Sequence, residues 1–198
     1  MINLKDISKV LKGKEVLTNI NLTLNPGEVT LLYGHNGSGK TMLLRMICGL
    51  ISPDKGELLL DSSFKFGVII ENPTFFLNET AFYNLNYLAT INKRIGDKDI
   101  LSWLKIFNLY EVKDKRVKSF SLGMKQRLAL CQAFMENPDV LLLDEPFNGI
   151  DDENLEIVYN LLEKEKKKKK IIVIASHVKI QVEGLVDKQI KMSNGKIV

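Results

Sequence analysis

The sequence predicts an α/β domain with a mainly parallel, doubly wound sheet, antiparallel strands at its edges and an inserted helical subdomain. Three observations predict it. Val29–Tyr33, Val140–Leu143 and Ile171–Ala175 are short runs without a polar face, as strands covered on both sides require. Helical patterns lie between such runs, and apolar strands alternating with helices fold as parallel sheets. Between residues 74 and 137 strand signals vanish and helical spacing takes over. At 198 residues the chain suits one domain, 1–198, long enough to bury a core. The sheet-bearing core is expected at about 1–73 and 138–198, with the helical subdomain at about 74–137.

Ile2–Ile7 alternates as a strand does, and Ile20–Leu24 alternates again after a polar turn around Lys12, Gly13 and Lys14. Pro26 and Gly27 form a turn that feeds Val29–Tyr33. Met42, Leu43, Met46, Ile47 and Leu50 recur at helical spacing, and this helix stops near Cys48 and Gly49, the glycine as C-cap. Ser52 to Gly56 is a turn. Leu58–Leu60 and Lys65–Ile70 are short strands, the latter ending at Glu71, Asn72 and Pro73. In the helical part Ala81, Leu85 and Leu88 share a face. Ile100, Leu101, Leu104 and Phe107 form a second stripe, capped by Asp97 or Asp99. Ser121 starts a third helix that runs to Asn137 and Pro138. A helix is expected from about Asp152 to Lys166. After Ile171–Ala175 a short amphipathic stretch leads to Gln189–Met192, and Asn194 with Gly195 turns the chain into Lys196–Val198.

Composition is that of an ordinary globular protein, 45% hydrophobic and 26% charged. The net charge of +4 comes largely from one run, Lys166–Lys170, which reads as the wet end of a helix. A spread basic face is missing, so no nucleic-acid partner is expected. The aromatic-rich stretch Phe75–Tyr87 is equally compatible with core and with an exposed docking surface. Cys48 and Cys131 sit in apolar helical stretches without metal-ligand spacing, as two core thiols of a reduced, intracellular chain would. The start MINLKDISKV has no apolar signal-peptide region, and no run reaches the roughly 18 apolar residues of a membrane span. Work at a membrane would need a spanning part on another chain.

Between strand Val29–Tyr33 and the following helix lie Gly34, His35, Asn36, Gly37, Ser38, Gly39, Lys40 and Thr41, matching the phosphate-loop pattern G-x-x-x-x-G-K-[ST]. Polyphosphate binding needs backbone N–H groups turned inward in a tight loop, which Gly34, Gly37 and Gly39 permit. The helix N-terminus adds partial positive charge. Lys40 can reach the β- and γ-phosphates, and the Thr41 hydroxyl can ligate Mg²⁺.

Asp144 and Glu145 directly follow an apolar strand, and strand C-ends open onto the ligand crevice in such folds. There an Asp can hold Mg²⁺ and an adjacent Glu can accept the proton of an attacking water. A plain surface turn is the alternative. His177, just past another buried strand, should face the same crevice and could contact a γ-phosphate, although a lone His is more often structural. Phe120–Arg127 opens a helix whose N-terminus, with Ser121 and Gly123, reads equally as a capped helix or as a second anion site.

Together these residues resemble the ATP-binding cassette (ABC) family, in order and over nearly the whole chain. Gly34–Thr41 looks like its Walker A loop and Val140–Asp144 like Walker B, with Glu145 at the catalytic-base position. Phe120–Met124 falls at the LSGGQ signature and is followed by Lys125, Gln126 and Arg127. Asn148–Asp151 looks like the D-loop, and His177 falls at the switch histidine. The resemblance implies a phosphate-loop NTPase fold and an ATPase using ATP and Mg²⁺, with Lys40, Glu145 and His177 catalytic and Thr41, Asp144 and Glu71 at the metal. It implies a head-to-tail pair with a second copy or a homologous cassette. Ser121 and Gly123 would then complete the partner's site in trans. It also implies a polytopic membrane permease on a separate chain, gripped by the helical subdomain and the segment after Glu71, and a place on the cytoplasmic face of the cell membrane.

The family pattern is departed from at three places. Glu71 stands where a Gln is usual, Leu122 and Met124 replace a Gly and the Gln of the signature, and Leu11 or Val10 stands where an adenine-stacking aromatic is usual. Glu71 combined with SLGMKQR is similar to the bacitracin- and lantibiotic-type peptide exporter and immunity branch. Two rivals are a non-transport ABC ATPase clamping nucleic acid or ribosomes, and a small-molecule kinase. The first tends to carry fused cassettes or coiled-coil insertions, and the second would leave His177 and the Ser121 helix unexplained.

Overall fold

The computed structural model describes residues 1–71, 74–177 and 184–198. Asn72 and Pro73, where the strand after Lys65 was expected to end, and the start of the amphipathic stretch before Gln189 lie outside them. The chain runs β1 (Ile2–Leu11), β2 (Lys14–Leu24), β3 (Val29–Tyr33), α1 (Lys40–Ile47), β4 (Lys55–Leu59) and β5 (Phe66–Ile69). It continues with α2 (Ala81–Asn92), α3 (Asp97–Ile106), two 3-10 turns, α4 (Leu122–Phe134), β6 (Val140–Asp144), α5 (Asp152–Lys167), β7 (Ile171–Ser176), β8 (Lys188–Ser193) and β9 (Lys196–Ile197).

Among the described residues the main sheet has the order β5-β6-β7-β3-β8-β9, parallel except for the antiparallel edge strand β9. The antiparallel strands expected at the N-terminal end do not extend this sheet. β2, β1 and β4 instead form a separate antiparallel sheet. The reason is lateral saturation: β3 is already paired on both sides, by β7 and β8. The apolar faces of β1 and β2 therefore pack onto the main sheet rather than pairing with it.

Side-chain alternation explains how both faces are covered. Along β6 and β7, Leu141, Leu143, Ile172 and Ile174 join one apolar cluster with α2, α3, α4 and α5. Val140, Leu142, Val173 and Ala175 point the other way, into a second cluster with α1 and the N-terminal sheet. Each fully buried Leu or Ile here contributes roughly 1.5–3 kcal/mol. The helices after Ile69 share the first cluster with the sheet, so they are packed into it and not merely appended.

Local rules set the helix ends. Ser121 accepts from the Met124 N–H at 3.2 Å, and Asp151 accepts from the Asn154 N–H at 3.0 Å. Neither Asp97 nor Asp99 is the N-cap of α3; Gly96 is, and the Asp99 carboxylate reaches back to its N–H at 3.0 Å. Cys131 is buried, but Cys48 caps α1 and is only half-buried. The lysine run is not wholly solvated either. Lys170 is 9% exposed and donates to Asn137 and Pro138, and Lys166 pairs with Asp187 at 2.7 Å.

Candidate functional site

Parallel pairing brings the C-terminal ends of β3, β6 and β7 to one edge of the sheet. Tyr33 is level with Ser176, and Asp144 with Ala175. The segments that follow these strands must therefore meet in one crevice. Those after β3 and β6 line a cavity of about 910 Å³, the size of a small-molecule site.

Of the loop from Gly34 to Gly39, Asn36 to Gly39 form one wall, and Gly34 and His35 lie behind it. A side chain at Gly34 would collide with the Met192 carbonyl oxygen, and at Gly39 (φ 107°) a Cβ would lie 3.0 Å from the Val16 carbonyl oxygen. Only glycine fits either position. Lys40 is buried and donates from Nζ to the Gly34 carbonyl at 2.6 Å and the His35 carbonyl at 3.3 Å. Ser38 Oγ is buried without a hydrogen-bond partner among the described residues, an open donor inside the loop. A polyphosphate is the anion that this ring of amides, an ammonium and an idle hydroxyl fits.

Thr41 Oγ1 donates to Asp144 Oδ2 at 2.6 Å. Burial pushes the Asp144 carboxyl above the ordinary carboxylate range; the Thr41 bond, Lys40 and the Glu71 N–H oppose that rise, and the neighbouring Glu145 adds to it. A desolvated carboxylate beside a hydroxyl is a hard-oxygen pair suited to Mg²⁺, which completes its shell with phosphate and water. No cluster of three His, Cys, Asp or Glu side chains lies among the described residues, and Mg²⁺ shared with phosphates needs none. Glu71 lines the same cavity, but its carboxylate pairs with Arg45 at 2.7 Å and is not hydrogen-bonded to Thr41.

Glu145 has φ 48°, a strained conformation for a residue with a Cβ. Its carboxylate meets His177: Oε1 accepts the His177 N–H at 2.6 Å and lies 2.8 Å from Nδ1. Ser176 Oγ is 3.4 Å from Oε2. His177 and Glu145 are thus brought together; Glu145 lines the cavity with Asp144, whereas His177 does not line it and reaches it only through Glu145.

The remaining expected residues fall into two groups. Leu11, Asn36, Gly37, Ser38, Gly39, Lys40, Thr41 and Glu71 all line the cavity, and no aromatic side chain among the described residues does. Ser121 and Gly123 of the same chain do not line it; Ser121 is exposed at the start of α4. Several lining residues were not among the expected site residues, Gly195, Asn148 and Gln126 among them. Gly195 donates its N–H to the Ser38 carbonyl at 2.9 Å, so the hairpin turn before β9 buttresses the phosphate loop. Asn148 follows the Glu145 turn. Gln126, 6% exposed, donates from Nε2 to the Glu145 carbonyl at 3.2 Å and the Pro146 carbonyl at 3.1 Å. A polar residue at a core-facing position of α4 was the available signal for it.

A sheet of this order with a phosphate loop after β3 and a carboxylate pair after β6 defines a phosphate-loop nucleotide-binding protein. The ABC transporter family model matches residues 17–148. The chain is 41% identical to the uncharacterized ABC transporter ATP-binding protein YybJ of Bacillus subtilis (strain 168), covering 100% of this chain and 94% of that one. It is 31% identical to the lantibiotic transport ATP-binding protein SrtF of Streptococcus pyogenes, over 100% of this chain and 89% of that one. With the bacitracin transport ATP-binding protein BcrA of Bacillus licheniformis the identity is 34%, over 100% of this chain and 68% of that one. Among solved structures, the dimeric ABC transporter cassette MJ0796 superposes with a TM-score of 0.88 at 27% identity, over 100% of this chain and 96% of that one. The chain belongs to the ABC transporter family, as an ATP-binding, ATP-hydrolysing subunit. The sequence-based reading of family and fold is borne out. No helix among the described residues is long and apolar enough to cross a membrane.

Proposed function

We propose that two copies of this cassette, or one copy and a homologous one, close on two ATP molecules and drive a polytopic permease on a separate chain. The observation that supports this reading is that Glu145, which lines one cavity with Lys40, Thr41 and Asp144, meets His177 at 2.8 Å. Lys40 and the loop amides hold the polyphosphate. Thr41, Asp144 and Glu71 would hold Mg²⁺, which when bound would neutralise charge on the phosphates. Glu145 takes the proton of the attacking water, and His177 orients the Glu145 carboxylate and the water against the γ-phosphate. Ser121 and Gly123 of one copy close the site of the other.

Residues 74–137 act as the helical subdomain that grips the permease. Phe76, Tyr83 and Tyr87 are each about half exposed and contact one another edge-on and stacked, which supports an exposed aromatic docking surface there; Phe75 is in the core. The working site is the cytoplasmic face of the cell membrane. Peptide antibiotics are the proposed cargo class, supported by the names of two relatives and by Glu71 with the SLGMKQR run.

The test is purification from cells with the chain tagged, followed by Mg²⁺-ATP hydrolysis with and without Glu145→Gln. Co-purification of a polytopic membrane protein, and phosphate release abolished by the substitution, are expected. Co-purification of ribosomes or nucleic acid without a membrane protein would favour the clamp reading instead. A phosphorylated acceptor would favour a kinase.

A further inference from the structure

We infer that Gln126 is a positioning residue that ties the signature helix to the Glu145 turn of the same chain, so that each ATP site is coupled to the surface offered to the other. The inference rests on the reading that Glu145 is the base and that Ser121 serves a second copy.

A chain of contacts carries it. Gln126 is buried, and its Nε2 donates to two successive carbonyls, those of Glu145 and Pro146. An amide group that spends both protons on one strained turn fixes that turn. The Glu145 N–H is fixed on the other side by the Ala175 carbonyl at 2.8 Å, and its carboxylate by His177. Glu145, with φ 48°, is therefore held by α4 on one side and the end of β7 on the other. Surrounding contacts are what keep such a backbone in place. One turn earlier on α4, Gly123 lies so close to the Gly149 carbonyl that a Cβ would not fit. Gly149, at φ 72°, in turn packs under Leu122.

Residues 121–126 and 145–149 thus form one rigid unit. One end of it carries the exposed Ser121 and the 65%-exposed Leu122, the latter also bordering the chain's own cavity. The other end aims the base at water. A shift of α4 when a second copy's ATP docks against Ser121 would move Glu145 in its own site through the Gln126 amide. A 1 Å misplacement of a base is worth about a hundredfold in rate.

The experiment compares the intact chain with Gln126→Met, which keeps volume without donors, and Gln126→Lys, which keeps a donor. Steady-state hydrolysis across ATP concentrations is measured for each, alone and in a Glu145→Gln background. The expected result is kcat lowered about ten- to a hundredfold by Gln126→Met with KM changed less than about twofold, and partial recovery in Gln126→Lys. Cooperativity in ATP should fall toward a Hill coefficient of about 1 in Gln126→Met. In the Glu145→Gln background Gln126→Met should lower the residual rate no further, because both act through one group. If Gln126→Met proves unstable, the Gln126→Lys split between kcat and KM and its Hill coefficient decide alone. An unchanged kcat, an equal rise in KM, or a further multiplicative loss in the double variant would overturn the inference. A normal rate in Glu145→Gln alone would instead remove the base assignment beneath it.

Discussion

His177 holds Glu145 through a single oxygen: Oε1 accepts the His177 backbone N–H at 2.6 Å and lies 2.8 Å from ring Nδ1. The second carboxylate oxygen, Oε2, accepts from Ser176 Oγ at 3.4 Å. The backbone N–H supports the carboxylate whatever the side chain at 177 is, so the two residues separate experimentally. Glu145→Gln should slow phosphate release by about 10²–10⁴-fold and let an ATP-bound dimer accumulate on size exclusion. His177→Ala should cost less than Glu145→Gln, because the main-chain bond remains. A His177→Ala enzyme slower than Glu145→Gln would mean the roles are reversed.

Asp144 links pH to stability. Its carboxyl is pushed above the ordinary value of 3.8 by burial, so the folded chain holds this proton more tightly than the unfolded chain. The contribution of Asp144 to stability therefore falls as pH rises from near 3.8 through its raised folded value, and stays unfavourable above it. Asp144→Asn should raise the melting temperature of the nucleotide-free chain at neutral pH and flatten this part of its pH profile. It should also abolish the stabilisation that Mg²⁺-ATP gives the parent. Thermal melts across a pH series from about 4 upward read both effects.

Glu71 pairs with Arg45, and both side chains are partly exposed. Such pairs contribute about 0–1 kcal/mol. Glu71→Gln should accordingly leave both melting temperature and Mg²⁺-ATP affinity within error by calorimetry. Loss of nucleotide binding would show that the carboxylate itself is required in the site.

Gly123→Ala offers a test of sign. An alanine inside a helix is normally favoured over glycine by roughly 0.5–1 kcal/mol. Here its Cβ would meet the Gly149 carbonyl, which is backbone and cannot swing away. The substitution should destabilise by about 1–3 kcal/mol despite the better propensity. A stabilised variant would show that α4 and the 145–149 turn are free to separate.

Much of this protein is written locally. The phosphate loop is legible because a glycine-rich turn between an apolar strand and a helix encodes its conformation within a dozen residues, Val29–Thr41. The ends of β6 and β7 are legible for the same reason, and they place Asp144, Glu145 and His177 at one edge once the strands are parallel. Ser121 is readable as a cap because capping is a contact within one turn.

What tertiary structure alone decided is how distant segments meet. Thr41 and Asp144 are 103 positions apart, and Glu145 and His177 are 32 apart. Nothing in the spacing of either pair specifies a hydrogen bond; strand order does. Tertiary packing also put β1 and β2 in a sheet of their own, since the same alternating pattern suits an edge strand or a separate layer equally well. It turned Glu71 toward Arg45, set Gly195 under Ser38, and buried Gln126 against the Glu145 turn. Sequence fixes conformation where the energy is local; partners across the chain are settled by which surfaces remain uncovered after the strands have paired.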